Sequence, residues 1–310
     1  MFIFDAHCDT LTKAMDKKEY LKQNNCQVDL KRLSQFSSPV QFFAICLHPK
    51  EYTNPLIEVL KIIDYFYQET EKNKELIQPA LSYIDIENNI KNNKISGILT
   101  LEGGEVLEEG LDVLWLLYQS GIRSIALTWN YKNRLGYGAM EKEEKGLTDY
   151  GKAVIKEMNQ LGIIVDVSHL SYKGFWDVEK IATKPFIASH SNVQSICCHP
   201  RNLTDTQIQA IANAGGVIGI NSYPLFLNSS GKATLKDFLL HIDYIVNLVG
   251  IDFVGLGCDF DGIESYTEGL EDLSAIKKLS SLLIKEYGNK GAEKILGLNF
   301  LRVVKEVLNK

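Results

Sequence analysis

The chain has 310 residues, of which 45% are hydrophobic and 23% are charged, and its formal net charge is −6 at pH 7. This composition is ordinary for a soluble globular protein and excludes disordered and collagen-like chains. Because the charge is acidic and lysine and arginine form no cluster, the sequence has no electrostatic footprint for a nucleic-acid partner.

Eight short apolar runs rich in β-branched and aromatic residues predict eight strands. In chain order they are residues 2–7, 40–47, 96–103, 122–128, 163–169, 186–190, 216–221 and 253–259. Runs that are apolar on both faces are typical of parallel strands covered by helices.

Helical patterns separate these strands. They lie near 55–72 and 85–93 and at 148–161, 204–214 and 272–310. Thr148 is a suitable N-cap for its segment, and Gly162 follows the end of that helix. A capping box from Thr204 to Gln207 begins the next predicted helix, which is followed by Gly215.

Strand–helix units in this order favour an α/β fold, a closed (β/α)8 TIM barrel, over an open parallel sheet, although periodicity alone does not separate the two. The stretches 10–39 and 48–95 are longer than a crossover requires, and we interpret them as insertions at the rim of the barrel. No Gly/Ser linker interrupts the chain, so we expect a single domain over 1–310 with helices at its C-terminal end.

The start of the chain, MFIFDAHCDT, lacks the basic and apolar segments of a signal peptide, and no run of about 18 apolar residues follows. We therefore expect a cytoplasmic protein without a membrane partner. Free thiols are expected because the six cysteines form no C-x-x-C pair. We expect Cys8 and Cys258, which lie beside candidate site residues, to be packing residues.

Polar, metal-capable residues fall where predicted strands end. They are His7 and Asp9 after the first strand, Glu102 after the third, His169 after the fifth, His190 after the sixth and Asp259 after the eighth. In a TIM barrel the carboxyl ends of the strands converge on one face. Imidazole and carboxylate groups suit zinc, and a carboxylate can bridge two ions about 3.5–4 Å apart. A single histidine at a strand end is usually a packing or surface residue, but this combination predicts a binuclear metal site.

The remaining histidines are weaker candidates. His48 follows a predicted strand and could lie at the rim of the site. His199 precedes a proline in a loop and His241 lies in a helical pattern, so we interpret both as structural or surface residues.

Seven motifs along the chain resemble those of one enzyme family. They are DAHCDT (5–10), LEGGE (101–105), DVSHLS (166–171), ASHSN (188–192), HPRNLTD (199–205), GLGCDFDG (255–262) and GLNFLRV (297–303). In this combination the chain resembles the membrane (renal) dipeptidase family of zinc peptidases, within the amidohydrolase-like barrels. The resemblance implies that His7 and Asp9 bind one zinc, that His169 and His190 bind the other, and that Glu102 bridges the two.

The resemblance also implies roles around the substrate. Asp259 would be a catalytic carboxylate beside Glu102, facing the attacking water, and Arg201 would receive the free carboxylate of a dipeptide. Tyr223, in NSYP, matches a tyrosine near the substrate. Mammalian members have a histidine where this chain has Trp129, so no such histidine carries over, and either Asn130 or the metals themselves could replace it.

The implied reaction is the hydrolysis of dipeptides by water activated between two cations, with tolerance of a D-residue at the second position. The family also suggests a homodimer. Two alternatives stay open: another amide, lactone or phosphoester hydrolase on the same barrel, and a catalytically silent barrel that keeps its metal.

Overall fold

The computed structural model describes residues 1–47 and 53–308. Within these ranges, eight strands form one parallel sheet. The strands are β1 (Phe4–Cys8), β2 (Val40–Cys46), β3 (Ile77–Pro79), β4 (Ile95–Glu102), β5 (Ile122–Ala126), β6 (Ile164–Asp166), β7 (Ile218–Ile220) and β8 (Val254–Leu256). Their order is β6-β5-β4-β2-β1-β8-β7, with β3 paired to β4.

A short segment between β6 and β7 closes the sheet into a ring. Ile187 forms a parallel bridge with Asp166, and Ala188 forms one with Ile218. The ring of eight is thus complete, and the predicted parallel barrel is formed.

The prediction of a regular strand at 186–190 is wrong, because only Ile187 and Ala188 form bridges and no continuous ladder develops. The backbone N–H of Ser189 donates to the Asp166 side chain at 2.9 Å, and that of His190 donates to the Ser168 hydroxyl at 3.1 Å. At Ser189 and His190 the backbone N–H groups therefore bond side chains from the end of β6 and the loop after it, and not the backbone of a neighbouring strand.

β3 is a strand that the sequence did not predict. It pairs with the first residues of β4, from Ile95 to Gly97, on the edge that β5 occupies from Leu99 onward. A three-residue segment that ends in Pro79 gives too short a pattern to be recognised as a strand.

Two of the predicted strands end before the site residues that they were expected to contain. The strand expected at 163–169 ends at Asp166, and the one expected at 253–259 ends at Leu256. His169 and Asp259 have left-handed backbone, with φ of 68° and 60°. This conformation cannot continue an extended ladder.

Twelve α-helices surround the barrel in the described ranges. They are α1 (Thr10–Asp16), α2 (Leu30–Leu33), α3 (Pro55–Lys72), α4 (Tyr83–Lys91), α5 (Leu111–Gln119), α6 (Asp149–Leu161), α7 (Tyr172–Ile181), α8 (Asp205–Asn213), α9 (Pro224–Leu227), α10 (Leu235–Val249), α11 (Ile276–Glu293) and α12 (Asn299–Val307). The predicted caps are confirmed: Thr148 accepts from the Gly151 N–H at 3.0 Å, and Thr204 and Gln207 form a capping box.

The amino-terminal half of the barrel interior is apolar. The Phe4 ring lies 5.0 Å from the ring of Phe42 and 5.5 Å from that of Phe300, which α12 inserts from below. Because this end is filled, open space for chemistry lies at the carboxyl ends of the strands. Within the described ranges, no helix combines the length and apolar character needed to cross a membrane.

Candidate metal centre

The six polar groups predicted from the strand ends lie together at the carboxyl end of the barrel. They are buried in and beneath a cavity of about 530 Å³. Glu102 lies between the histidines: its Oε1 is 2.7 Å from His169 Nε2 and 3.6 Å from His190 Nε2, whereas its Oε2 is 3.4 Å from His7 Nε2. The two oxygens of one carboxylate thus face two separate groups of donors.

The hydrogen bonds of His190 fix the nitrogen that it presents to the site. Ser189 Oγ donates to the Asp166 carboxylate, so it can only accept from His190 Nδ1, which lies 2.8 Å away. The lone pair of His190 Nε2 is therefore directed toward Glu102 and His169. Such outer hydrogen bonds commonly orient metal-binding histidines.

His169 is oriented in the same way by a different residue. Its Nδ1 lies 2.8 Å from Asn130 Oδ1, a carbonyl oxygen that can only accept. Burial, reinforced by Arg201, lowers the pKa of His169 to about 4, and burial with the charge of His7 lowers the pKa of His190 well below its usual range. Both rings are therefore neutral near pH 7.

This arrangement fits a bound cation. His169 Nε2 and His190 Nε2 lie 2.8 Å apart, although each is the unprotonated nitrogen of a neutral ring. Two lone pairs directed at each other repel, and a cation placed beside both relieves that repulsion while Glu102 supplies an oxygen. Nitrogen and carboxylate donors at this spacing suit zinc and similar ions.

A second group of donors surrounds His7. Its Nε2 is buried without a hydrogen-bond partner in the described residues and lies 3.3 Å from Asp9 Oδ2 and 3.7 Å from Asp259 Oδ1. Burial opposes a charge on His7, yet Glu102 and Asp9 raise its pKa well above the usual range. The concentration of carboxylates thus attracts positive charge, as a second cation would supply.

Asp259 is held in place by a side chain from a neighbouring loop. Its Oδ2 accepts a hydrogen bond of 2.8 Å from the Asn221 side chain. Burial raises its pKa to about 8; His7 opposes this rise, whereas Asp9 and Glu102 add to it. Gly262 completes the turn because a Cβ there would overlap the carboxylates of Asp9 and Asp259.

Arg201 is a buried guanidinium in the cavity wall, with 4% of its surface exposed. Its Nη2 donates to the His190 carbonyl oxygen at 3.3 Å, its charge lies 5.5 Å from the centre of the Phe226 ring, and its Nε has no hydrogen-bond partner among the described residues. Burial lowers its pKa to about 10, although Asp259 opposes the change. A buried cation whose described hydrogen bonds include no carboxylate is suited to an anionic ligand.

The other predicted substrate residues also line the cavity. Tyr223 packs edge-on against Phe226 and is hydrogen-bonded to Glu264; burial, aided by Glu264, raises the pKa of Tyr223 to about 12. Asn130 lies in the cavity wall, and its Oδ1 is hydrogen-bonded to Nδ1 of His169. Trp129 stacks on the His169 ring with centroids 6.1 Å apart.

The weaker histidine candidates have different positions. His48 lies outside the described residues. His241 is fully buried and bonds the Val193 N–H and the Leu227 carbonyl oxygen, which confirms its structural interpretation. His199 lines the cavity, and its Nδ1 accepts from the Arg201 N–H at 3.1 Å. The interpretation of His199 as a structural or surface residue did not include this position, which arises because the loop that carries Arg201 folds back over the cavity.

Sequence reasoning missed several residues that support this site. Asp166 and Ser189 orient His190, and Asn221 holds Asp259. Cys46, at the end of β2, also lines the cavity beside Glu102. Asp166 and Ser189 lie inside quoted motifs, and Asn221 begins NSYP, but a motif alone does not give their partners. All six cysteines are free, as predicted.

Comparison with known proteins gives consistent matches. The family model of membrane dipeptidase, peptidase family M19, matches residues 1–310. An uncharacterised protein in the pqqA 5′ region of Klebsiella pneumoniae is 37% identical over 264 residues, covering 79% of this chain and 97% of that protein. An uncharacterised dipeptidase of Schizosaccharomyces pombe is 32% identical over 308 residues, covering 90% of this chain and 71% of that protein.

Solved structures agree with these matches. The crystal structure of a metallopeptidase from Rhodobacter sphaeroides, liganded with a phosphinate mimic of the dipeptide L-Ala-D-Ala, has a TM-score of 0.90 at 25% identity and covers 99% of both chains. The TIM-barrel fold, the family resemblance and the enzyme class predicted from the sequence are thereby confirmed. The chain belongs to the membrane dipeptidase family of metallopeptidases, family M19, and is a dipeptidase.

Proposed function

We propose that this dipeptidase depends on two zinc ions and hydrolyses dipeptides that have a free C-terminal carboxylate. The observation that carries the proposal is that Arg201 lies in the same cavity as two groups of metal donors. Its guanidinium is buried, and no carboxylate of the described residues is hydrogen-bonded to it. Such a cavity recognises an anionic end of the substrate beside the reacting bond.

We assign the metal ligands from the two donor groups. His7 and Asp9 would hold one zinc, His169 and His190 would hold the other, and Glu102 would bridge them through its two oxygens. When bound, such a pair polarises a carbonyl oxygen and lowers the pKa of water from about 15.7 toward 7.

Asp259 is assigned to proton transfer. Asn221 holds one of its oxygens, and the other faces the donors around His7 from the cavity wall. A carboxyl group in this position accepts a proton from the attacking water and returns it to the leaving amine.

Arg201 selects the length of the substrate. A guanidinium binds a carboxylate through two parallel hydrogen bonds, and an internal peptide bond offers no such group. Tyr223 is assigned to the same substrate wall. The Oδ1 of Asn130 is hydrogen-bonded to His169, so the amide N–H groups of Asn130 are assigned to the substrate.

We also propose that the enzyme accepts a D-residue at the second position. The Rhodobacter sphaeroides metallopeptidase was crystallised with a mimic of L-Ala-D-Ala, and it has the same fold over nearly the full length of this chain. Because Arg201 would bind the C-terminal carboxylate of the dipeptide, the side chain of the second residue would contact the remaining cavity wall and not the metals.

A substrate panel tests the proposal. Zinc-loaded protein is assayed with L-Ala-L-Ala, L-Ala-D-Ala, L-Ala-L-Ala amide, a lactone and a phosphoester. We expect cleavage of both free dipeptides and poor cleavage of the amide. Preference for the lactone or phosphoester would support a different hydrolase, and no turnover of any compound would support a catalytically silent barrel.

A further inference from the structure

Cys46 is placed beside Glu102 by the register of the barrel. β2 and β4 are parallel neighbours, and Cys46 is paired with Glu102 at the carboxyl end of both strands. Because side chains of paired residues point to the same face of a sheet, the thiol points to the same side as the predicted bridging carboxylate.

The packing of the two strands shows that this side is the interior of the barrel. Phe42 and Ile98, separated from Cys46 and Glu102 by even numbers of residues, lie in the cluster that fills the barrel below the site. Phe43, of the opposite parity, packs in the outer cluster that contains Phe66 of α3. Cys46 thus projects inward, and it lines the cavity.

The thiol lies among metal-capable groups. Cys46, Asp9 and Glu102 each offer a ligand atom, and these atoms all lie within 4.8 Å of one another. His7 Nε2, buried and without a hydrogen-bond partner in the described residues, lies 3.3 Å from Asp9 and 3.4 Å from Glu102. Asp9 and Glu102 thus lie close to both the nitrogen of His7 and the sulfur of Cys46.

We propose that the sulfur of Cys46 is a ligand of the cation held by His7, Asp9 and Glu102. This assignment rests on the proposed function, which places a cation there, and it adds a ligand to that site. The thiol loses its proton to solvent as the cation binds, since a coordinating thiol is deprotonated. Zinc accepts nitrogen, oxygen and sulfur donors together.

Sulfur ligation gives this position a distinct metal preference. Thiolate favours zinc and other thiophilic ions, whereas Mn²⁺ and Mg²⁺ prefer oxygen. The His169/His190 position has no cysteine in its donor group among the described residues. The two positions therefore differ, and the one at Cys46 is the more selective for Cd²⁺ and Zn²⁺ over Mn²⁺.

Cadmium is the probe because thiolate bound to Cd²⁺ absorbs in the near ultraviolet, whereas nitrogen and oxygen ligands do not. Metal-depleted protein is titrated with CdCl₂ while absorption and bound cadmium are measured. We expect the band to develop in the wild type and to be lost in Cys46→Ser. Cys198→Ser, which removes an exposed cysteine, is the matched control and should keep the band.

A second measurement uses the wild-type protein alone. Alkylation by iodoacetamide at alkaline pH, located by peptide mass, should label Cys46 in metal-depleted protein and not in the cadmium form, whereas Cys198 should be labelled in both. The alkaline pH is needed because burial raises the pKa of the Cys46 thiol well above its usual range, and the thiolate is the reactive form. We also expect Cys46→Ser to reduce the preference for Cd²⁺ over Mn²⁺ by about tenfold or more.

The outcomes separate this assignment from the proposed function. Two cadmium ions per chain without a thiolate band, a band that persists in Cys46→Ser, or labelling of Cys46 in the cadmium form would overturn sulfur ligation and leave the binuclear site intact. Failure to bind cadmium at all would overturn both.

Discussion

Asp259 combines burial with a left-handed backbone, since its φ is 60° and it is held by Asn221 from a neighbouring loop. Non-glycine residues rarely adopt this backbone conformation, and they keep it only where the surrounding structure holds them in it. His169, with φ of 68°, is a second case at the same end of the barrel. At the scale of single residues, strained backbone is therefore found at positions whose side chains line the cavity.

We expect Asp259→Asn to keep both metals and the fold while kcat falls by roughly 10² to 10⁴, the range for a positioned acid-base group. The physical reason is that an amide keeps the shape and the contact with Asn221 but cannot carry the proton. Metal content, kcat and the thermal midpoint measure the three properties separately. Asp261→Asn is the control: Asp261 accepts from the Gln27 N–H, so it should lose stability more than kcat.

For Asp259, a kcat near that of the wild type with both metals bound would remove it from proton transfer. Loss of metal that added zinc restores would make it a ligand instead.

Arg201→Ala should lower kcat/KM for a free dipeptide by about 10²- to 10³-fold, mainly through KM, because the contact with the carboxylate is lost in a buried site. Kinetics on the free and the amidated dipeptide provide the measurement. The ratio between these substrates should fall toward one in the variant, since nothing then distinguishes a carboxylate from an amide. Unchanged discrimination in Arg201→Ala would contradict the assignment.

At the scale of elements, short hydrogen-bonded caps hold the helices from which the loops of the site arise. α10 begins with a capping box in which Asp237 accepts from the Thr234 N–H at 2.8 Å and from the Asn228 side chain at 2.9 Å. Burial favours the neutral acid, but the bonds from Asn228 and Thr234 outweigh it and lower the pKa of Asp237.

Asp237→Ala should reduce the free energy of unfolding at pH 7 by about 0.5–2 kcal/mol, toward the lower end because the group is half-buried. The folded pKa is below the usual value of 3.8, so this stability is present above pH 3.8 and is lost as the pH falls through the folded value. Urea unfolding from pH 7 to pH 3 tests it. Lys236→Ala, exposed on the same turn, is the control, and a difference that does not shrink on acidification would contradict the cause.

Whether an element could be predicted from the sequence depends on how far apart along the chain its interacting residues lie. Caps such as Thr148 and Thr204 are local, so their residues are recognisable in sequence. The segment 186–190 looks like a strand because it is apolar, but Ser189 N–H bonds a side chain 23 residues away. β3 depends on pairing with β4 and has almost no pattern of its own.

At the scale of the whole molecule, the barrel has one apolar and one polar end. The rings of Phe4, Phe42 and Phe300 fill the amino end, while Asp9 and Glu102 lie at the other. The convergence of these polar groups could be predicted from the sequence because a parallel barrel brings strand ends together. The inward direction of Cys46 could not, because it depends on the register between β2 and β4.

Zinc should stabilise the whole fold, because carboxylates that repel one another converge around Glu102 and a cation bound only in the folded state shifts unfolding by mass action. The gain is about 2.7 kcal/mol at a free zinc concentration one hundred times Kd. Glu102→Gln should weaken both sites, since each of its oxygens faces one donor group. Thermal midpoint and elemental analysis measure this, with the exposed Glu109→Gln as control. A full zinc response in Glu102→Gln would contradict a bridge.

The most direct measurement is the rate of L-Ala-L-Ala hydrolysis by metal-depleted protein as zinc is added in known equivalents, with bound zinc determined in the same samples. The account predicts negligible hydrolysis without metal and a rate that saturates when two zinc ions are bound per chain. Full hydrolysis in the metal-depleted protein, saturation at one bound zinc, or no hydrolysis with two bound would contradict it.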